Sequence, residues 1–117
     1  MVHIYGIKNC GTIKKTLEWF EKEGLEYTFH NYKKEAATEE KITAWIQKVS
    51  WETLLNKRGT TWRKLSEEEK EEVTDADAAI SVMLSNNSII KRPVIEWDDK
   101  VIVGFNEENL NDQITRS

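Results

Sequence analysis

The sequence predicts a mixed β-sheet with helices on its faces, an α/β or α+β domain, and three observations carry that expectation. A short apolar run, Val2-His3-Ile4-Tyr5-Gly6, is followed by an amphipathic helical pattern and then by an alternating segment, the order of a right-handed βαβ unit with parallel strands. The middle third has helical periodicity. Val94 to Trp97 and Val101 to Phe105, separated only by Asp98-Asp99-Lys100, read as an antiparallel hairpin. At 117 residues the chain is expected to form one domain, long enough for a proper core and too short for two.

Each element has its own local reason. Residues 2–6 read as a short buried strand. The first helix starts near Gly11 and places Ile13, Leu17 and Phe20 on one face, with Lys14, Lys15, Glu18, Glu21 and Lys22 toward water. Glu18 and Lys22 form a favourably oriented i,i+4 pair, and Gly24 is the expected C′ residue. Glu26 to Tyr32 alternates, with Tyr27 and Phe29 on one face, as a second strand would. Thr38 is the N-cap of a helix with an apolar stripe of Ile42, Trp45, Ile46 and Val49. Residues 54–64 form a basic loop of weak periodicity. Ser66-Glu67-Glu68-Glu69 is a capping box, and Asp75 to Leu84 is a further helix with Ala76, Ala79, Ile80 and Met83 toward the core. A last helix starts at Asn106, with Leu110 and Ile114 on its inner face.

Composition narrows the function. Apolar content of 38% with 32% charged residues describes a soluble globular protein with a solvated surface. A net charge of −4 gives no reason to expect nucleic-acid binding by bulk attraction. The N-terminal residues lack the basic and apolar regions of a signal peptide, and no apolar run approaches a membrane span. The only cysteine, Cys10, cannot form an internal disulfide, so a reducing cytoplasm is the expected location.

Cys10 is also the most informative residue. At a strand-to-helix junction it meets free backbone N–H groups and the positive end of the helix dipole, which favour thiolate over thiol. A free cysteine is more often a small buried apolar residue, but Lys8, Asn9, Gly11, Thr12, Lys14 and Lys15 around it are polar or small. His3 and His30 fall in expected strands with no Cys/His/Asp cluster and read as structural residues, so no metal site is expected. Trp45 and Trp97 read as core residues, whereas Trp62 lies in the basic loop. The single proline, Pro93, marks the start of the third strand, where a missing N–H is tolerable. From sequence physics alone, a trans strand start and a cis bond presenting the Arg92 backbone to Cys10 both remain open.

A strand, a cysteine at a helix N-terminus and a proline before a hairpin resemble the thioredoxin fold. Tyr5-Gly6-Ile7-Lys8-Asn9-Cys10, Thr12-Ile13-Lys14-Lys15, Arg58 to Leu65, and Ile89-Ile90-Lys91-Arg92-Pro93 narrow this to a resemblance to the ArsC/Spx family, closest to its YffB-like branch of small bacterial proteins. The match spans essentially the whole chain. It implies a thioredoxin-like core at about 1–33 and 88–117, a mixed four-stranded sheet (βαβ then ββα), and a helical insertion at about 38–86 between strands two and three. It also implies a cis Pro93 beside a nucleophilic Cys10, with Lys8, Asn9, Gly11, Thr12, Arg58, Arg92 and Pro93 binding substrate and Trp62 shaping the site wall. The Gly11 and Thr12 N–H groups are expected to stabilise the thiolate.

The activity implied is that of a glutathione-dependent monothiol oxidoreductase acting on a disulfide or a small oxyanion. Glutathione serves as co-substrate, glutathione or glutaredoxin as reducing partner, and no cofactor is bound. In the arsenate reductases of the family three arginines surround the oxyanion. Arg92 falls on one, Asn56 on a second with Arg58 close by, and Gly104 at or beside the third, so the chain departs from that clamp at two positions. Arsenate reduction with glutathione or glutaredoxin is the narrower alternative. A non-catalytic, Spx-like regulator binding RNA polymerase is the other. Ile13 stands where a Cys-x-x-Cys pair would place its second thiol, so any disulfide on Cys10 must be resolved by an external thiol.

Overall fold

The computed structural model describes residues 2–8 and 10–115, the side chains of 114 and 115 excepted. Along the chain the strands and α-helices are β1 (Val2–Gly6), α1 (Gly11–Lys22), β2 (Thr28–Asn31), α2 (Glu39–Ile46), α3 (Trp51–Leu54), α4 (Thr60–Arg63), α5 (Glu67–Glu72), α6 (Ala76–Ser85), β3 (Val94–Trp97), β4 (Lys100–Val103) and α7 (Glu107–Leu110), with a 3-10 turn at Asn87–Ile89 and a π-helical turn at Asn111–Thr115. They form two compact units, one from the two ends of the chain, up to Asn31 and from Arg92 onward, and one from Tyr32–Lys91.

The first unit contains the mixed four-stranded sheet, in the order β2-β1-β3-β4. β1 and β2 are parallel, with Ile4 opposite Phe29. β3 is antiparallel to both β1 and β4, with Ile95 opposite Ile4 on one side and Ile102 on the other. This is the thioredoxin-like arrangement expected. Because side chains alternate along a strand, Val2, Ile4, Ile95 and Ile102 share one face, where they pack with Trp19, Phe20 and Leu110 as the core. His3, Tyr5 and Glu96 take the opposite face by the same alternation.

α1 ends as its sequence suggests. The Gly24 N–H donates to Glu21 O at 3.1 Å and the Leu25 N–H to Phe20 O at 2.9 Å, a Schellman motif that requires Gly24 at φ 69°. β2 is shorter than the alternation implies, because Leu25 closes that motif and Tyr27 packs edge-on against Phe20 with ring centroids 5.9 Å apart. β4 stops at Val103 instead of reaching Phe105, since Gly104 turns to φ 85°. Asn106 caps α7 by accepting the Asn109 N–H at 2.9 Å. Leu110 is buried, and the expectation for the Ile114 side chain lies outside the described residues.

The second unit is helical. Thr38 accepts the Lys41 N–H at 3.1 Å, and Ser66 and Glu69 complete a reciprocal capping box with bonds of 3.1 and 3.0 Å. Ile42 and Trp45 are fully buried. In α6, Ala79 and Met83 are buried, whereas Ala76 and Ile80, also expected toward the core, are only half-buried. The segment expected as a loop at 54–64 instead carries the end of α3 and all of α4. Four-residue helices span barely more than one turn, so they leave no periodicity to read. A bridge pairs Leu55 with Ile90, flanked by the Asn56 N–H to Ile89 O and the Lys91 N–H to Leu54 O, both 2.8 Å.

Candidate active site

The loop after β1 turns directly into α1, and Cys10 is the N-cap of that helix, in an extended conformation (φ −109°, ψ 128°). Its own carbonyl accepts the first helical bond, from the Lys14 N–H at 3.0 Å. The turn is tight because β1 ends in a glycine. A Cβ on Gly6 would run into the Ile13 side chain and stand 3.9 Å from Arg92 Cγ, so Gly6, Ile13 and the Arg92 stem converge beneath the junction. Thr16, fully buried one turn on, donates its hydroxyl to Thr12 O at 2.7 Å and stiffens the first turn.

The electrostatics at the sulfur favour the thiolate. Partial burial pushes the Cys10 thiol up, but the Ile13 N–H, the Thr12 N–H, the Arg92 guanidinium and the Thr12 hydroxyl together pull it below the ordinary cysteine value. The sulfur makes no capping hydrogen bond of full geometry. The two N–H dipoles nevertheless act on it through space, and a thiolate is a far better acceptor than a thiol. The expected pair was Gly11 and Thr12. An N-cap side chain reaches the second and third helical N–H groups, which here are Thr12 and Ile13, while the Gly11 N–H is not among the groups shifting the thiol.

Arg92 joins Pro93 through a cis peptide bond. Pro93 is buried and accepts the Gly104 N–H at 2.8 Å, tying the start of β3 to the end of β4. Gly104 adopts its left-handed conformation at this contact, where a side chain would be strained. Gly104, at or beside which the resemblance led one to expect a third arginine, is therefore a position that the backbone reserves for glycine.

The first unit thus brings Cys10, Thr12 and Arg92 together, with Pro93 joined in cis to Arg92. Gly11 is exposed there with open space around it, and Lys8 is exposed outside the set that shifts the thiol. Asn9 lies outside the described residues. Arg58 belongs to the second unit, where its backbone N–H donates to Asn56 Oδ1 at 3.1 Å. Asn56 itself is committed to shaping that turn, its amide backing onto Gly59.

One cluster was not foreseen. His3 Nδ1 and His30 Nε2 are hydrogen-bonded at 2.9 Å, Tyr5 stacks on His30 with centroids 4.4 Å apart, and the Tyr5 hydroxyl donates to Glu96 Oε1 at 2.9 Å. The alternation of β1 and β2 gave the only available signal, by placing His3, Tyr5 and His30 on faces that could meet. No group of three His, Cys, Asp or Glu side chains among the described residues is arranged to hold a metal ion. No helix among them is long and apolar enough to cross a membrane.

The fold and junction define a class: a thioredoxin-like α/β protein with a cysteine at the N-cap position of its first helix and a cis Arg92–Pro93 bond before its third strand. The ArsC family model matches residues 5–113, and the chain belongs to the ArsC family. It is 41% identical to an uncharacterised protein of Haemophilus influenzae, over 92% of this chain and 94% of that one. It is similar to the solved structure of the protein YffB (PA3664), with 38% identity, a TM-score of 0.91, and coverage of 96% of this chain and 97% of the other. An arsenate reductase (ArsC) related protein from Brucella melitensis is 47% identical, with a TM-score of 0.77 and coverage of 95% and 92%.

Proposed function

We propose that this chain is a thiol-dependent reductase that uses Cys10 as a single nucleophile and glutathione as the source of electrons. The observation that carries the proposal is the placement of Cys10 at the N-cap of α1, where the Ile13 and Thr12 N–H groups and Arg92 pull its pKa below the ordinary cysteine value. Membership of the ArsC family and likeness to a protein related to arsenate reductase support the reaction class.

The cycle proposed has two steps. The Cys10 thiolate attacks the glutathione sulfur of a glutathione–substrate mixed disulfide. A Cys10–glutathione bond forms, the old sulfur–sulfur bond breaks, and the substrate sulfur leaves with the electron pair and takes a proton from water. The chain has no second cysteine, so a second glutathione, as thiolate, attacks the glutathionyl sulfur on Cys10. Oxidised glutathione forms and the Cys10 thiolate returns. Arg92 would hold a glutathione carboxylate through charge-assisted hydrogen bonds, a role guanidinium fills better than ammonium.

Arsenate ranks second as a substrate. By the resemblance, Asn56, with Arg58 close by, stands at one clamp position and Gly104 at or beside another, and Asn56 and Gly104 are each occupied in shaping backbone. Mass spectrometry after incubation with oxidised glutathione tests the main reading. It predicts one glutathionyl group on Cys10, released by reduced glutathione, and turnover of a glutathione mixed disulfide that Cys10→Ser abolishes. Failure to form the adduct contradicts it. Robust glutathione-coupled arsenate reduction would reverse the substrate ranking, and co-purification with RNA polymerase without either activity would favour the regulator reading.

A further inference from the structure

Residues 56–64 of the second unit contain four cations, Lys57, Arg58, Arg63 and Lys64, and no acid, in a chain whose net charge is −4. All four are exposed, and among the described residues none of them forms an ion pair. Lys57 is positioned by aromatic faces instead: its Nζ stands 5.8 Å from the Trp51 ring centroid and 5.4 Å from that of Trp62. Both indoles are half-buried. An ammonium held between two indoles is oriented but not neutralised, so its charge remains available to a partner.

The backbone displaying these charges is fixed at its base. Leu55 bridges to Ile90, the Asn56 N–H donates to Ile89 O at 2.8 Å, and Asn56 Oδ1 accepts the Arg58 N–H at 3.1 Å. α4 then carries Trp62 and Arg63. A surface already ordered loses less entropy on binding than a mobile loop. Tryptophan and arginine together are also the residue types that dominate protein–protein hot spots.

We propose that the Trp51–Lys57–Trp62 platform, with Arg58 and Arg63, docks an acidic segment of a partner protein. Carboxylates meet the unpaired cations, and the indole edges cover the partner's aliphatic stems. Charge complementarity points to a polyanion, and the aromatic geometry selects its kind. Single-stranded nucleic acid needs open aromatic faces for base stacking as well as phosphate contacts, whereas both indoles here already face Lys57. The test reads binding alone and needs no turnover at Cys10.

Fluorescence anisotropy with labelled hexaglutamate, and separately with a labelled oligothymidine of equal length, examines this at low salt on the full chain. The wild type should bind hexaglutamate saturably, with affinity falling as salt rises. Lys57→Gln combined with Arg63→Gln should weaken it at least tenfold. Trp62→Leu, which removes no charge, should weaken it at least threefold, with circular dichroism confirming the fold of each variant. Lys33→Gln with Lys34→Gln removes the same charge elsewhere and should retain binding within twofold. The proposal is overturned by absence of saturable hexaglutamate binding, by equal loss in the Lys33/Lys34 variant, by unchanged binding in the Trp62 variant, or by tighter binding of oligothymidine.

Discussion

Gly6→Ala probes the junction that holds the candidate nucleophile. A Cβ built on Gly6 lies 2.9 Å from Ile13 Cγ1 and closer still to Cδ1. Ile13 is 0% exposed, so its side chain has no solvent to swing into, and the first turn of α1 must move away from β1. Overpacking of this kind typically costs ~1–3 kcal/mol. At about 2 kcal/mol, the urea midpoint falls by roughly 1 M for a slope near 2 kcal/mol/M. The melting temperature of a chain this size falls by about 8 °C. Ile13→Val removes the Cδ1 atom and alone costs ~0.5–1.5 kcal/mol. If the Cδ1 contact is the cause, the double variant is more stable than the sum of the singles predicts, by about 1 kcal/mol. Urea denaturation of the four proteins completes the cycle. A neutral Gly6→Ala, or additivity within about 0.3 kcal/mol, refutes the reasoning.

Three further outcomes follow from the geometry. Arg92→Gln removes a charge that lowers the Cys10 pKa, so the alkylation profile of Cys10 moves to higher pH; an unmoved profile removes Arg92 from the site. Ser66→Ala deletes one half of the capping box of α5 and should cost about 1 kcal/mol in urea denaturation, whereas Ser66→Asn should cost little. Tyr5→Phe removes the hydroxyl that donates to Glu96 and should lower stability by about 0.5–1.5 kcal/mol; an unchanged midpoint would mean Glu96 finds an equivalent donor.

Features governed by neighbouring residues were readable in the sequence. The caps at Thr38, Ser66 and Asn106 and the left-handed Gly24 depend on contacts within a turn, and each is found where its chemistry places it. Cys10 was legible for the same reason, as the residue between a strand and a helical stripe. Illegible features depend on partners distant in the chain. The His3–His30 bond arises only when β2 lies parallel to β1 in a particular register, so each histidine alone looks like an ordinary strand residue. The platform around Lys57 requires α3 and α4, whose brevity hides them, to bring Trp51 and Trp62 to the same side chain. That Gly104 must be glycine shows only once its N–H meets Pro93 O at φ 85°. Arg92 lay between these cases, since local pattern left its cis bond and approach to Cys10 open and family resemblance favoured them.

The rate of Cys10 alkylation by iodoacetamide as a function of pH, native and in urea, tests the central claim most directly. Only one thiol is present, so mass spectrometry reads it without ambiguity. A group whose folded pKa is lowered is deprotonated over a pH window in which the unfolded chain remains a thiol. The native rate should therefore climb through an inflection below the ~8.5 of a free cysteine. Intrinsic nucleophilicity falls by only about 0.4–0.5 log unit per unit of pKa, so the native protein should still react faster at mildly acidic pH. An inflection at or above that of the urea-unfolded chain, with no native advantage below it, would contradict the account.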